Sequence, residues 1–196
     1  MIYSDKTNSV LMLPPKVASR SLVSLALSYP SEYGLNVASI GHLRLNQIDE
    51  LLPKSKSDYT IYSFYRDPVE RFKSLYKYCV LGTTHNISVY RNLTVDSFIS
   101  ILEKSILISR SPDFPMIDLG DPQVHFMDQD TVLLDITNID TEISKLQEAW
   151  ELPQQNIKKI NTSGNALISL RDSELERVKK LYSMDYAFFE SKGIYL

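Results

Sequence analysis

Lys16, Ser19, Arg20 and Ser21 crowd into one short stretch, "LPPKVASRS", between an apolar run and an apolar-periodic segment. A strand that stops at two prolines and resumes as a helix leaves first-turn N–H groups without intrahelical partners. With the helix dipole, those groups make a site for an anion. Lys16 adds a positive charge, Ser19 and Ser21 add hydroxyls, and Arg20 adds a fork of donors. The plain alternative is a strand-to-helix turn with a surface lysine and Ser19 as the N-cap. The glycines of the nucleotide-kinase loop G-x-x-x-x-G-K-[ST] are missing, and Lys16 precedes the turn instead of following it.

A second set lies in "YSFYRDPVERFKSLYKY". Arg66 stands at the end of an aromatic and β-branched strand pattern, where ligands are usually met. Asp67 suits an N-cap, Pro68 the first helical position and Glu70 the third, a capping-box variant that predicts a helix from Pro68 to about Leu81, closed by Gly82. Val69, Phe72, Tyr76, Cys79 and Val80 form its apolar arc. Arg71, Ser74 and Tyr78 fall on the far side, which taken alone reads as a solvated face. The net charge of the chain is −3. Two basic sites at strand ends in such a chain imply a ligand with two phosphate groups.

Three histidines are candidates for proton transfer, since an imidazole titrates near neutrality. His42, in "SIGHLRLNQ", follows a predicted strand, and Arg44 beside it favours the neutral ring. The alternative is a histidine that only closes a strand end. His125, in "DPQVHFMDQD", is the other candidate base. His85, in "TTHNIS", reads as a loop residue. Asp113, Asp118, Asp121, Asp128 and Asp130 do not have EF-hand spacing, so a solvated acidic loop is expected and no metal.

These residues need a scaffold. A chain of 196 residues with 43% apolar and 23% charged residues is expected to fold as one globular domain, 1–196. Strands are expected at Ser9 to Leu13, in "LNVASIGHL", in "DYTIYSFYR" and in "TVLLDI". Helices are expected at Ser19 to Tyr29, in "LNQIDELL", at Thr94 to about Leu107, Asn138 to Leu152 and Asp172 to about Tyr182. Ser109 to Gln129 reads as a long loop. The alternation implies an α/β fold with a mainly parallel sheet and helices on both faces, its site at the C-terminal strand ends.

The two basic motifs resemble those of sulfotransferases that use 3′-phosphoadenosine 5′-phosphosulfate. The first family loop reads like P-K-[TV]-[GA]-S-T-S, and Pro15-Lys16-Val17-Ala18-Ser19-Arg20-Ser21 departs from it at one position. The second reads like [VI]-R-D-P-x-E-R-x-x-S-x-Y, and Tyr65 to Tyr76 matches after its first residue. The match is strongest over Leu13 to Tyr78, with a weaker C-terminal echo in "LYSMDYAFF". It is most similar to the carbohydrate branch, including the uronosyl 2-O-sulfotransferases.

The resemblance implies a P-loop-like three-layer fold. Lys16 and the amides of Val17, Ala18, Ser19, Arg20 and Ser21 would hold the 5′-phosphosulfate, and Arg66 and Ser74 the 3′-phosphate. His42 matches the family's G-H-[VL] histidine, the proposed base, while His125 matches more loosely an H-x-x-x-Q segment. Arg20 stands where the family has threonine. It either replaces a hydroxyl contact with a charged one or faces solvent.

The function expected is transfer of a sulfuryl group to a hydroxyl of a small-molecule or glycan acceptor, without a metal. The alternatives are a nucleotide-dependent phosphotransferase and a non-catalytic nucleotide-binding module of the same fold. The acidic balance argues against nucleic acid as a partner. No apolar run is long enough to span a membrane. "MIYSDKTNSV" has no secretion-signal pattern, so a cytoplasmic location is expected.

Overall fold

The structure is a computed structural model that describes residues 1–38, 42–81, 90–107, 117–157 and 167–196. The expectations for His85, for Asp113 and for Gly82 as a helix stop lie outside the described residues. The chain divides into two compact units. The first comprises Met1–Arg66 and Gln123–Asn161, and the second Asp67–Pro122 and Thr162–Leu196.

The first unit is α/β. Its strands are β1 (Ile2–Ser4), β2 (Ser9–Met12), β3 (Leu35–Val37), β4 (Thr60–Tyr65) and β5 (Val132–Asp135). They form one open sheet in the order β3-β1-β2-β4-β5. β2, β4 and β5 are parallel, in register Met12↔Ser63 and Tyr65↔Asp135 at their C-terminal ends. β1 runs antiparallel to both neighbours, so the sheet is mixed. Four of the five strands run the same way, so the sheet is mainly parallel as expected; β1 alone opposes them, and the cause is local. A turn at residues 5–8 lets the first residues pair back on β2 as a hairpin, a connection open only to antiparallel strands.

Side chains on a strand point alternately to opposite faces. Leu11 and Leu13 enter a core with Ile2, Phe64 and Leu134. Helices α1 (Ser19–Ser28) and α5 (Ile139–Ala149) cover that face with Leu22, Val23, Ala26, Ile143 and Leu146. Val10 and Met12 enter the opposite core with Met1 and Ile61. Leu45, Ile48, Leu52 and Tyr59 cover it. The helix expected in "LNQIDELL" is only a 3₁₀ turn, Leu45–Gln47. The apolar spacing still aims into one core, but the Gln47 carboxamide accepts from the Arg44 N–H (2.9 Å) and Pro53 stops propagation.

The second unit holds α2 (Pro68–Tyr76), α3 (Val95–Leu107), the short α4 (Ile117–Gly120), α6 (Asp172–Leu181) and α7 (Ser183–Ser191). The Asp67 carboxylate caps α2 by accepting from the Glu70 N–H (2.8 Å), while Glu70 pairs with Lys73. The chain stays helical to Leu81 as expected, but α2 ends at Tyr76 and the last turn, Lys77–Leu81, is π-helical. Phe72, Leu75, Tyr76, Phe98, Ile99, Val178 and Tyr182 make the core. Arg71 is 1% exposed and Ser74 is buried too, so the far side of α2 is not a solvated face. Helical wheels miss this, because Arg71 is covered by Asp121 and Tyr182, distant in sequence.

The stretch expected as one long loop from Ser109 to Gln129 contains α4 and a 3₁₀ turn, Gln123–Phe126. Among the described residues no helix is long and apolar enough to cross a membrane.

Candidate functional site

In the first unit β2 delivers the chain to the Lys16 loop and β4 delivers it to Arg66. Because β2 and β4 are parallel neighbours, both loops leave the same edge of the sheet. Pro14, Pro15 and Val17 are buried, and Val17 joins the core beneath α1. The Ser19 hydroxyl donates to the Pro14 carbonyl (2.9 Å) and closes the loop on itself. It is therefore not the N-cap. Ala18 holds that position and contributes no side-chain cap.

The missing glycines are answered in the backbone. Lys16 has φ 69° and Ala18 φ 62°, the left-handed region that glycine adopts without penalty. For other residues it costs about 1–2 kcal/mol each. Only five described non-glycine residues have positive φ, and two of the other three are the tolerant Asn8 and Asn92. Strain is thus concentrated in this loop, a pattern associated with binding and catalysis. Left-handed residues stand on either side of Val17, and such residues are one ingredient of the backbone N–H concavities that bind anions.

Helix α1 points the same way. Each of the other described helices of nine or more residues carries an acidic residue in its first turn. α1 carries none, so no carboxylate of its own neutralises its positive end. Arg20 is exposed at that end.

The two motifs meet at the backbone. Arg66 Nη1 donates to the Lys16 carbonyl at 3.4 Å. His42 joins the same strand end, with Nδ1 2.6 Å from the carbonyl of Leu13. A carbonyl only accepts, so Nδ1 carries the proton and Nε2 keeps the lone pair in the neutral ring. His125 lies half-buried on the Gln123–Phe126 turn. Ser74 belongs to the second unit, buried on α2.

One residue that no sequence pattern singled out also matters. Gln123, fully buried, accepts from the Arg66 N–H (3.0 Å) and donates to the Arg66 carbonyl (2.8 Å). It sits in a Pro- and Asp-rich stretch with no periodicity to mark it. In the second unit Tyr182 is fully buried, with the Arg71 guanidinium 4.7 Å from its ring centroid. Burial pushes the Tyr182 phenol up to about 12. Among the described residues no three His, Cys, Asp or Glu side chains gather in a set able to hold a metal.

Against known proteins the chain matches no family model, and it has no significant match among curated proteins or solved structures.

Proposed function

We propose that the chain is a sulfotransferase that uses 3′-phosphoadenosine 5′-phosphosulfate and acts on a hydroxyl of a carbohydrate. The observation that carries this reading is the contact between the two motifs, Arg66 Nη1 to the Lys16 carbonyl, across a loop whose non-glycine residues take glycine conformations. The P-loop-like assignment of the sheet belongs to the same proposal.

The residues present fit the donor. The Lys16–Ser21 loop offers backbone donors, a lysine and a helix end without an acidic residue in its own first turn to a phosphosulfate. Arg66 offers a planar fork suited to a phosphate. The donor supplies, when bound, an activated sulfuryl group. Lys16 stabilises the negative charge that develops on the leaving side, and the loop amides share that load. His42, its tautomer set by the Leu13 carbonyl, takes the acceptor's hydroxyl proton at Nε2. His125 is the alternative base.

Thermal stabilisation by nucleotides tests the reading. Adenosine 3′,5′-bisphosphate should stabilise the protein well beyond ATP with Mg²⁺. Equal stabilisation by the two would overturn it in favour of a phosphotransferase. Sulfate transfer from labelled donor to a glycan panel then separates an enzyme from a binding module.

A further inference from the structure

We infer that Gln123 is a positioning residue for Arg66, and through it sets the preference of the site for a nucleotide that carries a 3′-phosphate. This rests on the sulfotransferase reading above.

The sheet itself creates the need. β4 pairs with β2 as far as Ser63 and with β5 as far as Tyr65. Arg66 is the next residue, beyond the ladder on both sides, yet only partly exposed. Its N–H and C=O must find partners or be left unsatisfied at a cost. The Gln123 carboxamide supplies both, accepting at 3.0 Å and donating at 2.8 Å. One rigid plane holding an acceptor and a donor does what a single residue of a neighbouring strand would do. Asparagine is a methylene shorter, and an ionised glutamate only accepts.

The clamp fixes more than a peptide. With both backbone groups of residue 66 held, its Cα–Cβ direction is set, and so is the region the guanidinium can sweep. That guanidinium reaches the Lys16 carbonyl. The hydrogen bonds of the Gln123 side chain go to Arg66, so it acts on the loop one step removed. Because it is fully buried on the turn that also carries His125, it ties that turn to the strand end bearing Arg66.

A buried clamp also supports the fold, so the test must separate the two roles. The readout is the ratio of affinities for adenosine 3′,5′-bisphosphate and AMP, which share all but the 3′-phosphate. Calorimetry on wild type, Gln123→Met, Arg66→Met and the double variant supplies it. Gln123→Met should lose about tenfold of the preference, as expected for one misplaced charge-assisted contact, with AMP affinity unchanged. The double variant should be no worse than Arg66→Met alone. Gln123→Glu should recover preference as pH falls, when protonation returns the donor.

An equal loss for both nucleotides, or additive losses in the double variant, would overturn the inference. So would a wild-type preference that Gln123→Met keeps. A wild type that prefers neither nucleotide overturns the sulfotransferase reading, and this inference with it.

Discussion

Arg66 and Arg71 stand in the same short motif and live in opposite surroundings. Arg66, in the first unit, is partly exposed at a strand end, its backbone held by Gln123 and its guanidinium on the Lys16 carbonyl. Arg71, in the second unit, is 1% exposed, donates from Nη2 to the Asp121 carbonyl (2.7 Å) and lies on the Tyr182 ring. One arginine is partly open to solvent, and the other is spent inside the protein. Residue type and spacing alone do not distinguish them, whereas burial does.

The sharpest way to break that contrast is to remove each in turn. Arg71→Ala should cost about 2–5 kcal/mol of stability, since it empties a buried site and removes the hydrogen bond to the Asp121 carbonyl. Arg71→Met, which fills much of the space without a charge to desolvate, should cost distinctly less. Arg66→Ala should move stability by only about 1 kcal/mol or less and act on nucleotide affinity instead. Urea unfolding beside calorimetric titration reads both. If Arg66→Ala unfolds the protein while Arg71→Ala spares it, the two roles are assigned backwards.

Lys16→Ala comes next in size. A lysine that stabilises developing charge should show a loss of about 100-fold or more in turnover, with a smaller change in KM. A loss confined to KM would make Lys16 a binding residue only.

The same contrast explains what could be read beforehand. The N-cap at Asp67, the strand at Thr60–Tyr65 and the Lys16 loop were legible because each is a local rule, involving a cap, a run of aromatic and β-branched residues or a strand-to-helix break. β1 was not, because Ile2–Ser4 is too short to show alternation and owes its existence to pairing with β2. Arg71 looked solvated because its cover comes from residues 50 and 111 positions away, Asp121 and Tyr182. Gln123 was invisible because its partner is a peptide group, which every residue carries. The missing glycines pointed away from a nucleotide-kinase loop, and the structure supplies what they could not: left-handed Lys16 and Ala18.

That strain can be measured. Ala18→Gly places glycine at φ 62° and should stabilise the fold by up to about 1 kcal/mol, the relieved strain being offset in part by unfolded-chain entropy. Ala26→Gly, in the interior of the same helix, should destabilise by about 1 kcal/mol. Opposite signs from one substitution type, eight residues apart, would locate the strain in the loop. Equal losses would remove it from the account.

The smallest effect belongs to the second unit. Arg177 bridges from α6 to Glu103 and Asp96 on α3, with Nε 2.9 Å from Glu103 Oε1. The hydrogen bond from Arg177 holds the Glu103 carboxyl below its ordinary value of 4.5. A depressed carboxyl binds its proton less readily in the folded chain than in the unfolded one. Its contribution is therefore complete above the unfolded value and is lost as pH falls through the folded one. Glu103 and Arg177 are both partly exposed, so solvent screens the pair and the effect is small. Wild type should exceed Glu103→Gln in urea midpoint at neutral pH, and the gap should close as pH drops below about 4.5. Salt should narrow the gap at neutral pH as well, because an exposed pair is screened where the buried Arg71 contact is not. A gap that persists in acid, or that salt leaves untouched, would mean that Glu103 acts through packing and not through its charge.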